Sequence, residues 1–184
     1  MPRFIAFLRA INVGGHTVKM DELRRLFEAL RLKDVETFIA SGNVIFGSPA
    51  TDVDALQRRI EAHLGKSLGY EVKTFLRTDA QVASVARYEA FTEAQRRTAR
   101  SLNVGFLAAP LGAAARKALI ALRTDIDDFH VQGRELWWLC KTGQAESTFS
   151  NMVFEKRVGV RATFRGIRTV QKLAEKYPPG ATGA

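Results

Sequence analysis

A single cysteine, Cys140, stands in a chain of 184 residues, so no internal disulfide framework can form and the chain fits a reducing cytosol. Histidine is nearly as scarce. His16, His63 and His130 stand apart, with no Cys-x-x-Cys or His-x3-His spacing, so no metal is expected. Long apolar runs are missing too: the longest are of strand length, as in Phe4 to Leu8, too short to span a bilayer, and no membrane association is expected. The opening Met1-Pro-Arg-Phe lacks the three regions of a signal peptide, which makes a cytoplasmic location the expectation. The chain carries neither Gly-x-Gly-x-x-Gly nor the phosphate-loop Gly-x4-Gly-Lys-Ser/Thr, and no cofactor is expected. Ser41 lacks a Gly-x-Ser-x-Gly elbow, which argues against a serine nucleophile.

What is present reads as an ordinary soluble globular chain, 46% apolar and 26% charged, long enough for one good core or two small ones. The net charge is +9, and it is uneven: about +2 over residues 1–92 and about +7 over 93–184 by residue count. Glu155 to Lys176 carries much of the excess. Such a segment can attract nucleic acid, phosphorylated ligands or acidic proteins, or it can simply be a solvated helix face.

Residues 3–11 read as a strand, with Phe4, Ala6 and Leu8 on one face and Ile5, Phe7 and Ile11 on the other. Arg9 is the charged exception on that second face and needs a partner or an exit to solvent. A turn from Asn12 to Lys19 leads into a helix with Met20, Leu23, Leu26, Phe27 and Leu30 as its apolar stripe. Strands at Val35–Ala40 and Val44–Phe46 flank a Ser41-Gly-Asn43 turn. A helix capped by Thr51 and ending near Gly65 follows, then a strand from Tyr70 to Leu76. Thr78-Asp-Ala-Gln81 has the form of a capping box before a short helix.

Residues 92–100 read as a surface helix or linker, after which the order begins again. Strands are predicted at Leu102–Ala108, Phe129–Gln132, Glu135–Lys141 and Arg161–Phe164, with helices at Pro110–Leu122 and Ser150–Val158 and a last helix stopped by Pro178-Pro179. The tail after Pro179 is expected to be disordered. The fold class is therefore α+β, two tandem ferredoxin-like units of β-α-β-β-α-β type with antiparallel sheets, over residues 1–92 and 93–184.

Three constellations bear on function. Asn12-Val-Gly-Gly-His-Thr-Val-Lys19 joins a strand to a helix, where exposed N–H groups and a helix dipole favour an anion. Gly14 and Gly15 allow close approach, and His16 and Lys19 supply donors or charge; the bland alternative is a tight turn that needs glycine. Ser41 and Asn43 fit turn chemistry, yet in a β-α-β-β order they lie at the same end of neighbouring strands as Asn12 and can converge with it. Ser150 and Thr163 read as helix caps, with Arg165 and Arg168 opposing the dipole of the last helix unless an anion meets them. On one strand, Trp137 and Trp138 must face opposite sides, one to a core; the other is a stacking platform for a base, an interface anchor or, more commonly for such a pair, structural as well.

Leu8-Arg-Ala-Ile-Asn-Val-Gly-Gly15, Met20-Asp-Glu-Leu23 and Ser41-Gly-Asn-Val-Ile-Phe46 closely resemble the bacterial family known as Domain of Unknown Function 1697. Ser150-Asn-Met-Val-Phe-Glu-Lys-Arg-Val-Gly159 and Thr163-Phe-Arg-Gly-Ile-Arg-Thr-Val-Gln-Lys-Leu173 resemble its C-terminal block, with Gly166 and Ile167 where the family has Asn-Trp and Ala10 where it has glycine. The resemblance implies a compact α+β protein of tandem ferredoxin-like units and no established activity, cofactor or substrate. The expected function is binding of a small anionic metabolite or nucleotide by Arg9, Asn12, Gly14, Gly15, His16, Lys19, Ser41 and Asn43, with Arg165 reaching in. The alternatives are a nucleic-acid-binding module using the basic C-terminal segment, or a structural or interaction protein without a ligand.

Overall fold

The computed structural model describes residues 1–180, so the expected disordered tail lies, from residue 181 on, outside the described residues. The chain groups into two units, residues 1–84 together with those from 173 onward, and residues 85–172.

The first unit contains β1 (Arg3–Leu8), α1 (Met20–Ala29), β2 (Lys33–Thr37), β3 (Asn43–Gly47), α2 (Val53–Leu68) and β4 (Thr74–Thr78), with α3 (Asp79–Arg87) following directly. Its antiparallel sheet has the order β2-β3-β1-β4. After α4 (Glu93–Thr98), the scheme repeats with β5 (Ser101–Leu107), α5 (Ala113–Ile120), β6 (Asp127–Gln132), β7 (Glu135–Cys140), α6 (Asn151–Val158), β8 (Ala162–Gly166) and α7 (Ile167–Lys176), whose residues from 173 onward belong to the first unit. The order β6-β7-β5-β8 matches the first sheet strand for strand. This is the tandem ferredoxin-like arrangement expected from the element order.

Alternation along β1 builds the first core. Phe4, Ala6 and Leu8 pack with Leu23 and Phe27 of α1 and with Ile60 and Leu64 of α2. Fully burying each large side chain contributes roughly 1.5–3 kcal/mol. Ile5, Phe7, Ile45 and Phe75 are buried as well, so both faces of the sheet are covered. Leu107, Leu136, Trp138, Cys140, Phe154 and Ala162 form the second core.

Several boundaries differ from the sequence reading. β1 stops at Leu8 because Ala10 takes a φ of 64°, and the turn returns Ile11 to the Phe4–Leu8 face rather than the Ile5–Phe7 face. Asp52, not Thr51, caps α2, its carboxylate accepting from the Ala55 N–H at 2.9 Å. α2 runs past Gly65 and ends at Gly69, which takes the left-handed conformation with φ 82°. Thr163 does not cap the last helix: it lies buried inside β8, and α7 begins four residues later. Trp137 and Trp138 face opposite sides and both are buried, the structural outcome expected for the pair, so Trp137 offers no free stacking face. The capping box at Thr78 and Gln81 is present in both directions, at 2.9 and 3.2 Å.

The two units share more than order. Glu61 of α2 accepts from the Thr74 N–H at the start of β4, at 2.9 Å. Glu155 of α6 accepts from the Ala162 N–H at the start of β8, at 3.2 Å. Arg77 lies opposite Ile5, and Arg165 lies opposite Val104 at the equivalent register. Each buried guanidinium donates from Nη1 to the carbonyl of the residue before it, at 2.8 and 2.9 Å. The element repeat read from sequence is thus matched by paired side chains in equivalent roles, with little identity elsewhere.

Candidate functional site

The loop after β1 and the loop between β2 and β3 meet at one end of the first sheet. The Leu8 N–H donates to the Gly42 carbonyl at 2.9 Å, which ties the two loops at their base. Asn12 ties them further out. Its Nδ2 donates to the Ala40 carbonyl at 2.8 Å, and its Oδ1 accepts from the Val18 N–H at 2.8 Å. The first bond crosses between loops; the second closes residues 12–18 into a compact arch. Asn43, fully buried, donates from Nδ2 to the Phe38 carbonyl at 2.9 Å and to Ser41 Oγ at 3.0 Å. Gly42 is needed for this closeness: with φ at +78°, a Cβ there would lie 3.0 Å from Ile11 Cβ and 3.2 Å from Leu8 Cβ.

The predicted convergence of Asn12, Ser41 and Asn43 is therefore present, but the side-chain amides hold the loops together rather than point outward. The arch they support is exposed from Val13 to Thr17. Gly14 and Gly15 sit on it with φ of 59° and 85° and open space around them. The His16 N–H donates to the Val13 carbonyl at 3.1 Å, and its ring stacks on Tyr70 with centroids 3.8 Å apart. Burial pushes the Tyr70 hydroxyl above its ordinary value, with the Glu22 carboxylate acting in the same direction. Lys19, exposed, stands at the start of α1. Asp21 and Glu22 lie in the first turn of that helix, at its positive end. Arg9 is half-buried at the foot of the arch, its N–H donating to the Lys73 carbonyl at 2.8 Å.

Arg165 belongs to the second unit. It lies in β8, 8% exposed, donating to Thr163 Oγ1 at 2.9 Å as well as to the Phe164 carbonyl. Burial pushes its guanidinium down to about 10. These contacts give it a packing role inside its own sheet.

Two features of the loops had no sequence signal. Ile39, a β-branched residue, takes a φ of 52° and is 52% exposed. Val13 on the arch is 57% exposed. Of the described non-glycine residues with positive φ, Ala10, Asn12 and Ile39 all fall on these two loops. At Ala10 and Ile39 such a conformation costs of order 1–3 kcal/mol each, and strain of this kind gathers where function holds it; asparagine tolerates it. Nor does the pairing of His16 with Tyr70, 54 positions apart in sequence, follow from any local pattern.

No curated protein matches the chain. Among solved structures, the conserved bacterial protein SP0830 from Streptococcus pneumoniae has a similar fold: the TM-score is 0.71 at 20% identity, over 96% of this chain and 98% of that one. The family described as "Protein of unknown function (DUF1697)" matches residues 1–137, which include both loops and the whole first sheet. The chain belongs to the DUF1697 family.

Proposed function

We propose that this chain binds a small organic anion, a metabolite or nucleotide, on the arch formed by residues 12–19 where it meets the 38–43 loop. The concentration of strained backbone in two cross-tied loops carries the reading, because neither burial nor helix capping accounts for Ile39 at φ 52°. The Gly14 and Gly15 N–H groups, the His16 ring and the Lys19 ammonium are the groups that meet the anionic end. Val13 and Ile39 offer apolar surface to the rest of the ligand. Asn12, Ser41 and Asn43 position the loops, and Arg9 adds positive charge beneath. Direct charge-assisted contacts of this kind contribute roughly 1.5–3 kcal/mol each.

A thermal-shift screen of nucleotides and of phosphorylated and carboxylated metabolites tests the reading, followed by titration of any hit into Lys19→Ala and Asn12→Ala. Loss of binding in Lys19→Ala, with wild-type melting temperature retained, supports it. A screen without hits, or hits that bind both variants as tightly as the parent, contradicts it.

A further inference from the structure

The second unit holds a cavity of about 320 Å³ outside both loops. It lies among the end of α3, the segment through α4, the start of β5 and the first turn of α7. Four arginines line it, Arg87, Arg96, Arg100 and Arg168, against one carboxylate, Glu89. Arg96 Nη1 pairs with Glu89 Oε1 at 2.8 Å, which offsets one charge. Among the described residues, the guanidinium groups of Arg87, Arg100 and Arg168 meet no carboxylate and no hydrogen-bond acceptor. Ser101 lines the same wall, and its hydroxyl is buried without a partner among the described residues.

Like charges along one concave wall repel one another, and a multivalent anion removes that cost. Guanidinium forks match phosphate oxygens bidentately. The volume is at the lower end of the roughly 300–1,000 Å³ typical of small-molecule sites. One further wall is aromatic. Tyr88, 38% exposed, lines the cavity, its ring tilted over Trp137 with centroids 4.7 Å apart. Its hydroxyl is held at 2.9 Å from His130 Nε2. The ring is therefore fixed in place at the edge of the arginine cluster, which suits a planar group stacked beside a phosphate chain.

We propose that this cavity is a second anion site, for a diphosphate-bearing ligand of the nucleoside diphosphate class, with its phosphates on Arg87, Arg100 and Arg168 and its base against Tyr88. The site is independent of the arch in the first unit. Its charge matches a diphosphate better than a monophosphate, because three arginines without a carboxylate partner among the described residues line it.

Isothermal titration of the full chain at fixed ionic strength with inorganic pyrophosphate, ADP, AMP and sulfate tests it. Pyrophosphate is expected to bind more tightly than sulfate, and ADP more tightly than either pyrophosphate or AMP. Arg100→Gln and Arg168→Gln should each weaken pyrophosphate and ADP by roughly tenfold or more. Tyr88→Leu should reduce ADP affinity toward that of pyrophosphate while pyrophosphate binding holds. Both arginines and Tyr88 are exposed, so circular dichroism should show each variant folded. Arg157→Gln, an exposed α6 position outside the cavity wall, should leave pyrophosphate binding unchanged. Pyrophosphate binding no tighter than sulfate overturns the proposal. So does an equal loss in Arg157→Gln, which would reveal diffuse attraction, or unchanged binding in both Arg100→Gln and Arg168→Gln, which would put the ligand elsewhere. Tighter binding of a single-stranded oligonucleotide than of ADP, with steep salt dependence, would assign the cluster to nucleic acid instead.

Discussion

Removing the Asn12 side chain should loosen the junction of the two loops in a measurable way. Asn12→Ala deletes the bonds to Ala40 and Val18, both 2.8 Å. Each such bond contributes about 0.5–1.5 kcal/mol net. The substitution also places alanine at a φ of 55°, which asparagine tolerates and alanine does not, adding about 1 kcal/mol. The total is about 2–4 kcal/mol, or a fall in Tm of roughly 6–12 °C for a chain of this size. Asn12→Gly loses the same bonds without the backbone strain, so it should be less destabilised than Asn12→Ala. Asn12→Asp keeps an acceptor for the Val18 N–H but sets carboxylate against the Ala40 carbonyl; its deficit should shrink once the pH falls below about 4 and the acid can donate. Urea denaturation followed by circular dichroism gives all three values. An Asn12→Ala stability within about 0.5 kcal/mol of the parent, the usual range for surface substitutions, would refute the cross-tie.

Other consequences follow from the same contacts. Gly42→Ala should cost about 2–4 kcal/mol by thermal denaturation, because a Cβ would meet Ile11 and Leu8 at 3.0 and 3.2 Å in a left-handed backbone; a neutral result would mean the turn can relax. Arg165→Ala should cost about 2–4 kcal/mol with any loop ligand bound as before, and selective loss of that binding would return Arg165 to the site. The Tyr177 hydroxyl, donating to Glu36 at 2.7 Å, holds that carboxyl below its ordinary value, with Lys176 and Arg3 adding to the effect against burial. A depressed carboxylate contributes stability that is present above its unfolded pKa and lost as the pH falls through the folded one. Tyr177→Phe should therefore flatten the fall in Tm below a pH of about 4.5, and an unchanged acid slope would contradict the assignment.

Element order was legible because alternation and glycine placement are local. Phe4, Ala6 and Leu8 on one face and the capping pair Thr78 and Gln81 required nothing from the rest of the chain. Where the chain had two acceptable options, tertiary structure chose. Thr51 and Asp52 are both competent caps, and Asp52 has the geometry. Arg165 looked like the first turn of a helix because β8 is short and runs straight into α7, so its five residues carry little alternation. The convergence of the loops followed from topology, but the roles within it did not. Whether an asparagine amide faces a ligand or a neighbouring carbonyl depends on backbone conformation at residues such as Ile39, whose positive φ no propensity suggests. The arginine cavity was equally hidden. Arg87, Arg100 and Arg168 are far apart in sequence, and the helix ends and strand that gather them are set by packing.

The most direct test of a ligand site on the arch is an amide-resolved NMR titration of the isotopically labelled chain with a hit from the anion screen. The account predicts saturable shifts at Gly14, Gly15, His16 and Lys19, with Asn43, buried beneath, moving less. Binding that leaves those four amides unmoved would contradict it.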